Sequence, residues 1–537
     1  MKISSRPYYT TGLLVKKNDK FFFEDLFSKK IFKNITFKAK KIFDIQLISC
    51  EIQFSNRKYV LKNITVKQVN SLENLIGEVT KKKFDLKNHY RKKDIVIKSP
   101  MLEGRTDLTE LDFITIDGDD AKDFDDAVYC TNEKDYYKLY VAIADVSFYV
   151  DEDSYIDKIA LANSFSIYLD QSVPMLPNEL SDDLCSLKPN VNRMAVVCEI
   201  IINQTGIVES YNFYESIIKS KKRFTYDEVN GIIKKNFKLD SDFKFLLKLL
   251  HELSLKLNTE RVNNGALLFN HSKGYFSAER VIEELMLIAN KSVATFLHSK
   301  SKKNSIIFRH HPKSSIEKEK DFESLINVFD FKYEEKAFFF DYLDSFLENF
   351  DANNRKIIGT SFLCFLEKAV YDSNQSSHYA LAFEKYLHFT SPIRRYPDLI
   401  NHRILKKIVK NETVKKLDPS VVAIINNKEN EVEEVHYYYK NLFNLIKFYN
   451  TKPINKVLKG IVTGISDFGI FITLRDFDVT GLLHKRNIKI IEFQKHKIKV
   501  LHHGEVLDLR IFDEVSVKIL SLEILNLKVD LLLKNEK

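Results

Sequence analysis

Several patterns are missing from this 537-residue sequence, and each absence argues against a class of protein. The five cysteines are scattered and form no CxxC pair, so neither a zinc ribbon nor a disulfide framework is indicated. No apolar stretch reaches the roughly 18 residues that a transmembrane helix needs. The beginning of the chain, MKISSRPYYTTGLLVKK, has an apolar run of four residues, so we expect no signal peptide. These absences together favour a reducing, cytoplasmic location.

The sequence is long, with a normal apolar content and a modest positive charge. The length predicts about three domains, and 44% apolar residues are enough for a sizeable core. Lys and Arg number 83 against 74 Asp and Glu, which leaves a net charge of +9. Such an excess suits a polyanionic partner. It is equally consistent with genome composition, because Lys, Asn, Ile and Phe are all abundant.

The hydrophobic patterning divides the chain into three parts. Residues 1–95 contain short alternating runs such as KYVLKNITVKQV, which predict a small β-domain that ends in a linker near 91–102. Residues 96–450 mix strand and helix patterns, and residues 451–537 return to short strands punctuated by glycine, as in a small closed barrel. One strand and three helices are expected in the middle part, at 138–150, 281–297, 398–409 and 429–449. The fold class is therefore α+β multidomain, with a mixed α/β domain flanked by small β-barrels.

The stretch FITIDGDDAKDFDDAV holds six aspartates in the ten positions 117–126. Two carboxylates about 4 Å apart repel by roughly 4 kcal/mol at an effective dielectric constant near 20, so something must compensate them. FITI is rich in β-formers and Gly118 ends the predicted strand, which leaves the acidic run as a loop. Oxygen ligands at this density suit Mg²⁺ or Mn²⁺. We predict a bound divalent cation here, and two when substrate is bound, as in phosphoryl transfer.

The acidic run has two other interpretations. An EF-hand starting at Asp117 would need glycine where Lys122 stands and glutamate where Val128 stands, so calcium binding of that kind fails. A solvated acidic loop is the structural alternative, since it is the usual fate of a charge run. The alternation of aspartate with Ala121 and Phe124 before a strand-like AVYC favours a built site.

A second segment, YLHFTSPIRRYPD at 386–398, combines helix-start signals with two arginines. Ser391 before Pro392 is typical of an N-cap and first helical residue, and Pro397 makes one long helix unfavourable. We therefore predict a turn or short helix and then a helix from 397. Arg394 and Arg395 would lie near helix N-termini, which favour phosphate, and their guanidinium groups match phosphate oxygens. A surface arginine pair is the alternative, but beside the acidic cluster we expect phosphate contact.

Three aromatic residues, Tyr168, Tyr226 and Phe269, are candidates for stacking on bases. With 25 Tyr and 41 Phe in the chain, each taken alone is more typical of core or ordinary surface. Glu283 or Glu284, on the predicted 281–297 helix, could reach the metal site, although helical acidic residues are usually solvated.

Five motifs in chain order carry a resemblance to a known family. TIDGDDAKDFDDAVYC, VAIADVSFYV, PMLPNELSDDLCSLKP, IEELMLIAN and HFTSPIRRYPDLINHR together resemble the catalytic (RNB) domain of the ribonuclease II and ribonuclease R family, and are closer to ribonuclease R. KGIVTGISDFGIFITL with TGLLH resembles an S1 RNA-binding barrel of the OB type. The resemblance implies an RNB domain at 96–450, an S1 domain at 451–537 and a reduced OB-like or cold-shock-like barrel at 1–95, where the family usually has two.

The same motifs imply roles for individual residues. The family's metal-site aspartates match Asp117, Asp123, Asp125 and Asp126, with Asp125 the one that matters most for cleavage. Arg394 matches the catalytic arginine near the terminal phosphates. The residues that the resemblance implies as RNA contacts are Tyr168, Tyr226, Phe269, Glu283, Arg394, Arg395, Phe468, Phe471 and His484.

The resemblance implies a processive 3′→5′ hydrolytic exoribonuclease that releases nucleoside 5′-monophosphates and uses Mg²⁺ or Mn²⁺. The expected partner is single-stranded RNA with a free 3′ end, and we expect a monomer without membrane association. The alternative is a catalytically silent RNA-binding protein on the same scaffold. Such a protein should have lost one of the four aspartates, and all four are present. A metal-dependent endonuclease is a third reading, which cleavage of a circular RNA would distinguish.

Overall fold

The computed structural model describes most of the chain. The described residues are 8–17, 20–33, 35–37, 45–55, 58–87, 90, 103–235, 243–267, 276–329, 346–348, 350–502 and 504–534. The predicted linker at 91–102 and the candidate residue Phe269 lie outside the described residues. Among the described helices, none combines the length and the apolar character that a membrane span requires.

The N-terminal part forms a barrel-like sheet, as the alternating pattern predicted. Its strands are β1 (Tyr8–Lys17), β2 (Lys20–Asp25), β3 (Ile31–Phe32), β4 (Ile35–Thr36), β5 (Ile45–Ser55) and β6 (Lys58–Val66), in the spatial order β3-β2-β1-β5-β6-β4. A helix that the strand pattern did not predict, α1 (Leu72–Lys83), follows the sheet. It begins where the Ser71 side chain accepts a hydrogen bond from the Asn74 N–H, the usual N-cap arrangement.

The central part is built on a seven-stranded mixed sheet. Its strands are β7 (Thr106–Asp107), β8 (Ile114–Asp117), β9 (Asp126–Asn132), β10 (Tyr136–Ala144), β11 (Asn192–Asn203), β12 (Val208–Lys219) and β13 (Lys222–Thr225), in the order β13-β8-β9-β10-β11-β12-β7. The predicted strand at 138–150 is wrong beyond residue 144. Asp145 caps a helical turn there by accepting the Phe148 N–H, which ends the strand despite the continuing apolar run.

Helices cover this sheet and extend from it. The helices are α2 (Val146–Tyr149), α3 (Tyr155–Asn163), α4 (Tyr226–Lys234), α5 (Lys244–Asn263), α6 (Ala278–Lys300), α7 (Ile316–Asn327), α8 (Ala352–Ser361), α9 (Tyr396–Val409) and α10 (Pro419–Asn450). Shorter elements are a π-turn at Leu180–Leu184, 3-10 turns at Phe362–Phe365, Tyr379–Leu381 and Lys485–Asn487, and the paired strands β14 (Phe308–His310) and β15 (Val370–Asp372). The three helices predicted from periodicity are confirmed within α6, α9 and α10.

The C-terminal part closes into the predicted barrel. Its strands are β16 (Val457–Ser466), β17 (Gly469–Leu474), β18 (Val479–His484), β22 (Glu514–Glu523) and β23 (Lys528–Lys534). A separate three-stranded sheet, β19 (Lys489–Gln494), β20 (Lys497–His502) and β21 (Glu505–Arg510), is inserted between β18 and β22. A Cβ at Gly481 would come within 2.7 Å of the Leu531 side chain, so glycine allows these two strands to pack closely.

The long helix α10 joins the two outer parts. One buried apolar cluster includes Leu13 of β1, Ile76 of α1, Leu442 of α10 and Leu525 of the barrel. Beside it, the buried Glu24 side chain accepts the Leu525 N–H at 2.8 Å. The N-terminal sheet and the C-terminal barrel therefore share a core on α10.

Candidate active site

The acidic segment lies where two adjacent strands of the central sheet, β8 and β9, are connected. β8 ends at Asp117 and β9 begins at Asp126, so the residues between them form the predicted loop. The loop is held from both sides of Phe124, whose N–H donates to Ser186 Oγ at 3.0 Å and whose carbonyl accepts the Leu187 N–H at 3.0 Å. These partners belong to the DDLCSLKP motif, which explains why that motif accompanies the aspartates.

The aspartates of this loop divide into exposed and buried groups. Asp119 and Asp120 are exposed. Burial, together with the charges of Asp126 and Asp123, raises the pKa of Asp117. Burial likewise raises the pKa of Asp125, although Arg394 and the Ile393 N–H act in the opposite direction. The loop therefore concentrates negative charge that the surrounding protein only partly compensates.

Two of the buried carboxylate oxygens are suited to a cation. Asp117 Oδ2 and Asp125 Oδ2 are buried and accept no hydrogen bond from the described residues, an arrangement that is costly unless a partner is supplied. In the part of the chain that the structure describes, no group of three or more His, Cys, Asp or Glu side chains is arranged so that it could hold a metal ion. The donor set is nevertheless chemically right, because Mg²⁺ and Mn²⁺ prefer carboxylate oxygens.

The arginine segment closes over the acidic loop. Residues 391–395 form a turn, and α9 follows with Pro397 in its first turn, as the proline pattern predicted. The Ile393 N–H donates to Asp125 Oδ1 at 2.9 Å, and Arg394 Nε lies 3.6 Å from Asp125 Oδ2. The Arg394 side chain is 44% exposed and donates to Ser391 Oγ at 3.0 Å. Arg394 is therefore close to Asp125 and still accessible to solvent.

Arg395 has a different environment from Arg394. Its Nη2 donates to Asp398 Oδ1 at 2.8 Å, and its side chain is only 18% exposed. Arg395 also pairs through its backbone with Phe165. The structure thus gives Arg395 an internal ion pair, and its predicted phosphate contact stays a prediction.

The two candidate tyrosines both lie at the acidic cluster. The Tyr168 hydroxyl donates to Asp123 Oδ2 at 2.6 Å, and the Tyr168 N–H donates to His436 Nε2 of α10 at 3.3 Å. Tyr226 is the first residue of α4, which starts in a capping box. Burial and the charges of Asp126 and Asp117 raise the pKa of Tyr226.

The two adjacent glutamates on α6 have opposite surroundings. Glu283 is exposed, whereas Glu284 is buried and forms an ion pair with Arg261. The contact between Glu283 and RNA stays a prediction.

The C-terminal barrel brings its three candidates together on one outward face. Across β17 and β18, Phe471 pairs with Leu482 and Gly469 pairs with His484. Paired residues, and residues two positions apart in one strand, point to the same face of a sheet. Phe471 and His484 therefore lie on the same face of the barrel. The Phe468 ring lies edge-on to Phe471 with centroids 5.7 Å apart, and Phe468 is 41% exposed. Such an aromatic face is typical of OB-type nucleic-acid-binding barrels.

Arg223 is a residue of the site that sequence reasoning missed. Its Nη2 donates to the carbonyl oxygens of Gly118 and Asp119, each at 2.7 Å. Its guanidinium lies 5.3 Å from the centre of the Phe124 ring. Because β13 runs parallel to β8 in register with it, Arg223 reaches a loop that is distant in the sequence. Arg223 lies three residues before Tyr226 in the sequence, but only the order of the strands in the sheet brings it to the acidic loop.

A mixed α/β domain with this acidic centre, flanked by small β-barrels, defines a protein of the RNB type. The RNB domain family matches residues 105–411, and the S1 RNA binding domain family matches residues 451–524. Since the first match covers more than half of the chain, the chain belongs to the RNB family. The predicted resemblance and fold class are thereby confirmed, while the exact domain boundaries at 95/96 and 450/451 stay predictions.

The chain is similar to several proteins named ribonuclease R. It is 32% identical over 468 residues to ribonuclease R of Vibrio parahaemolyticus, a match that covers 80% of this chain and 56% of that protein. It is 34% identical over 464 residues to ribonuclease R of Mycoplasmopsis pulmonis, covering 81% and 63%. A solved structure of Mycoplasma genitalium RNase R in complex with ribose methylated single-stranded RNA matches with a TM-score of 0.78 and 26% identity, over 99% of this chain and 90% of that one. The chain thus spans less than two thirds of the curated relatives' length.

Proposed function

We propose that this protein is a processive 3′→5′ exoribonuclease that hydrolyses single-stranded RNA to nucleoside 5′-monophosphates. The observation that carries the proposal is the junction between the acidic loop and the arginine turn. There, Asp125 accepts the Ile393 N–H at 2.9 Å and Arg394 Nε lies 3.6 Å from the same carboxylate. A carboxylate cluster next to a partly exposed guanidinium suits hydrolysis of a phosphodiester. The similarity to ribonucleases R over about four fifths of the chain supports the direction of cleavage.

Asp117, Asp123, Asp125 and Asp126 would hold the metal, which we propose to be Mg²⁺ or Mn²⁺, with two ions when RNA is bound. When bound, the ions supply an activated water and neutralise charge on the scissile phosphate. The buried oxygens Asp117 Oδ2 and Asp125 Oδ2, which accept no hydrogen bond from the described residues, support this assignment. Burial raises the pKa of Asp117 and of Asp125, and a bound cation would favour the ionised form of both carboxylates.

The residues of the chain position the reacting groups. The Ile393 N–H fixes Asp125 Oδ1, so Asp125 presents its other oxygen in a defined direction. Arg394, held by Ser391 Oγ at 3.0 Å, would bind the phosphate oxygens and stabilise the charge that develops during attack by water. Arg223 fixes the carbonyls of Gly118 and Asp119, so the acidic loop is organised before the substrate arrives.

The aromatic residues would grip the RNA without reading its sequence. Tyr168 lies beside Asp123 and would stack near the 3′-terminal base, while Tyr226, on which the charges of Asp126 and Asp117 act, would be a further RNA contact. Phe269 would clamp the other end of the bound stretch, so Phe269→Ala should change the length of the smallest remaining fragment. Stacking of this kind contributes roughly 1–3 kcal/mol per base. Contacts to the 2′-OH would distinguish RNA from DNA, and the face formed by Phe468, Phe471 and His484 would bind incoming RNA.

The test compares a linear RNA with a covalently closed circle of the same sequence in the presence of Mg²⁺. We expect the linear RNA to be shortened from its 3′ end with release of 5′-monophosphates, identified by mass spectrometry, and the circle to stay intact. Cleavage of the circle would identify an endonuclease and overturn the proposal. Binding of both RNAs without any shortening would favour the alternative of a silent RNA-binding protein.

A further inference from the structure

The hydroxyl of Tyr168 makes a contact that base stacking does not require. It donates to Asp123 Oδ2 at 2.6 Å, a short bond between two side chains that are 45 residues apart in the sequence. A phenylalanine would offer the same ring to a base but would lack this bond. The hydroxyl therefore serves something other than the grip on RNA.

Tyr168 is also held from the opposite direction. Its backbone N–H donates to His436 Nε2, at 3.3 Å, and His436 lies on the long helix α10. Tyr168 is 42% exposed. Its ring therefore remains accessible, while hydrogen bonds fix its hydroxyl and its backbone N–H. This arrangement gives Asp123 a donor whose position is set by two parts of the fold.

Side chains that bond to metal ligands orient those ligands and tune their affinity for the metal. Loss of such an outer partner typically weakens metal binding by about 10–100-fold. The Tyr168 hydroxyl engages Asp123 Oδ2, so the other oxygen of this carboxylate would bind a cation in a defined orientation. The hydroxyl bond thus fixes the rotamer of Asp123.

We propose that Tyr168 is a positioning residue for Asp123, so that one side chain links the grip on the terminal base to the metal site. This inference rests on the cation binding included in the proposed function. It predicts that the hydroxyl and the ring of Tyr168 have separable effects. The hydroxyl governs the affinity for metal, and the ring governs the affinity for RNA.

The experiment titrates the full-length protein with Mn²⁺ in the absence of RNA and measures free Mn²⁺ by electron paramagnetic resonance. Tyr168→Phe should weaken Mn²⁺ binding by about 10-fold. The matched control is Tyr8→Phe, which removes a tyrosine-to-aspartate hydrogen bond of 3.4 Å in the N-terminal sheet and should leave Mn²⁺ binding unchanged. RNA binding in EDTA should fall more in Tyr168→Leu, which removes the ring, than in Tyr168→Phe, which keeps it.

A double-mutant cycle isolates the coupling between the two residues. In an Asp123→Asn background, adding Tyr168→Phe should change Mn²⁺ affinity by less than about twofold, because the ligand that the hydroxyl positions is already altered. An equal loss in both backgrounds, no loss in either, or no Mn²⁺ binding by the unsubstituted protein would each overturn the inference. If the unsubstituted protein shortens RNA and Tyr168→Phe binds Mn²⁺ as tightly as it does, the positioning inference is refuted and the proposed activity is not. If Tyr168→Phe weakens Mn²⁺ binding but the unsubstituted protein does not shorten RNA, the proposed exoribonuclease activity is refuted and the positioning inference is not.

Discussion

Asp145 is the buried centre of an ion network that fixes the arginine-bearing helix to the central sheet. Its carboxylate is fully buried, accepts Arg105 Nη2 at 2.7 Å and also pairs with the Lys406 ammonium. Lys406 lies on α9, the helix that follows the arginine turn directly. Asp145 itself follows β10, which pairs with the strand that begins at Asp126. Replacing Asp145 should therefore loosen the framework on which the site is built.

The expected cost can be worked out from the surroundings. Asp145→Asn keeps the shape of the side chain but leaves two cations, whose side chains are 5% and 13% exposed, without their main partner. Breaking a buried pair in this way costs about 3–5 kcal/mol. Glu215 lies 3.7 Å from Arg105 and 3.6 Å from Lys406, and this partly exposed carboxylate should recover about 1 kcal/mol. The net loss should be roughly 2–4 kcal/mol.

Hydrogen exchange is the suitable assay, because a multidomain chain does not unfold in one transition. The opening free energy of the β10 and β11 amides reports on the central sheet and should fall by that amount in Asp145→Asn. The control is Glu431→Gln, which breaks the exposed pair with Lys428 at 2.7 Å and should cost less than about 1 kcal/mol. If Asp145→Asn lowered the opening free energy of these amides no more than the control does, the ion network would not fix α9 to the central sheet.

Three further predictions concern acid stability, RNA binding and the acidic loop. His402 is fully buried and burial lowers its pKa from 6.5 to about 4, so below pH 6.5 the unfolded chain takes up a proton that the folded protein does not. Stability should be full above pH 6.5 and fall as pH decreases toward 4, by about 3 kcal/mol from this group, and His402→Asn should flatten that slope in denaturant titrations. Phe468→Ala with Phe471→Ala should weaken single-stranded RNA binding by about 1–3 kcal/mol per stacked base in filter-binding assays at fixed salt. Arg223→Met should slow RNA shortening at least about tenfold, because charged hydrogen bonds worth about 1.5–3 kcal/mol no longer order the loop, and Arg223→Lys should recover part of the rate.

Each of these predictions has an outcome that contradicts it. An unchanged pH slope in His402→Asn would mean that other groups carry the acid sensitivity. For the barrel, Phe245→Ala removes an aromatic that is 75% exposed on α5 and serves as control. Equal losses in both variants would indicate nonspecific effects. Arg223→Met with a normal rate would show that the acidic loop keeps its geometry without the arginine.

Much of the fold followed from local patterns, and the misses have physical causes. The 281–297 periodicity located α6, and glycine spacing predicted the closed barrel. Helix α1 was missed because its sequence, LENLIGEVTKKK, directly follows strands with a similar mixture of apolar and lysine residues. The sheet β19–β21 was counted with the barrel, since pairing partners cannot be read from alternation alone.

The candidate site also has features that local sequence predicts and features that only the fold reveals. The density of carboxylates predicted the acidic loop, and proline positions predicted the turn at 391–395. Arg223 and the bond between Tyr168 and Asp123 depend on contacts made across the fold. Local sequence carries no signal for such contacts. The same holds for Arg395, whose pairing with Asp398 distinguishes it from its neighbour although both arginines look alike in the sequence.

The most direct test of the central claim is a time course on 5′-labelled single-stranded RNA with Mg²⁺, run beside Asp125→Asn. The asparagine can still accept the Ile393 N–H that Asp125 accepts at 2.9 Å, so the variant should fold and bind RNA. We expect the unsubstituted protein to shorten the labelled RNA to a fragment of a few nucleotides with release of 5′-monophosphates, and Asp125→Asn to bind the RNA without shortening it. Shortening at an equal rate by Asp125→Asn, or tight binding without shortening by the unsubstituted protein, would contradict that claim.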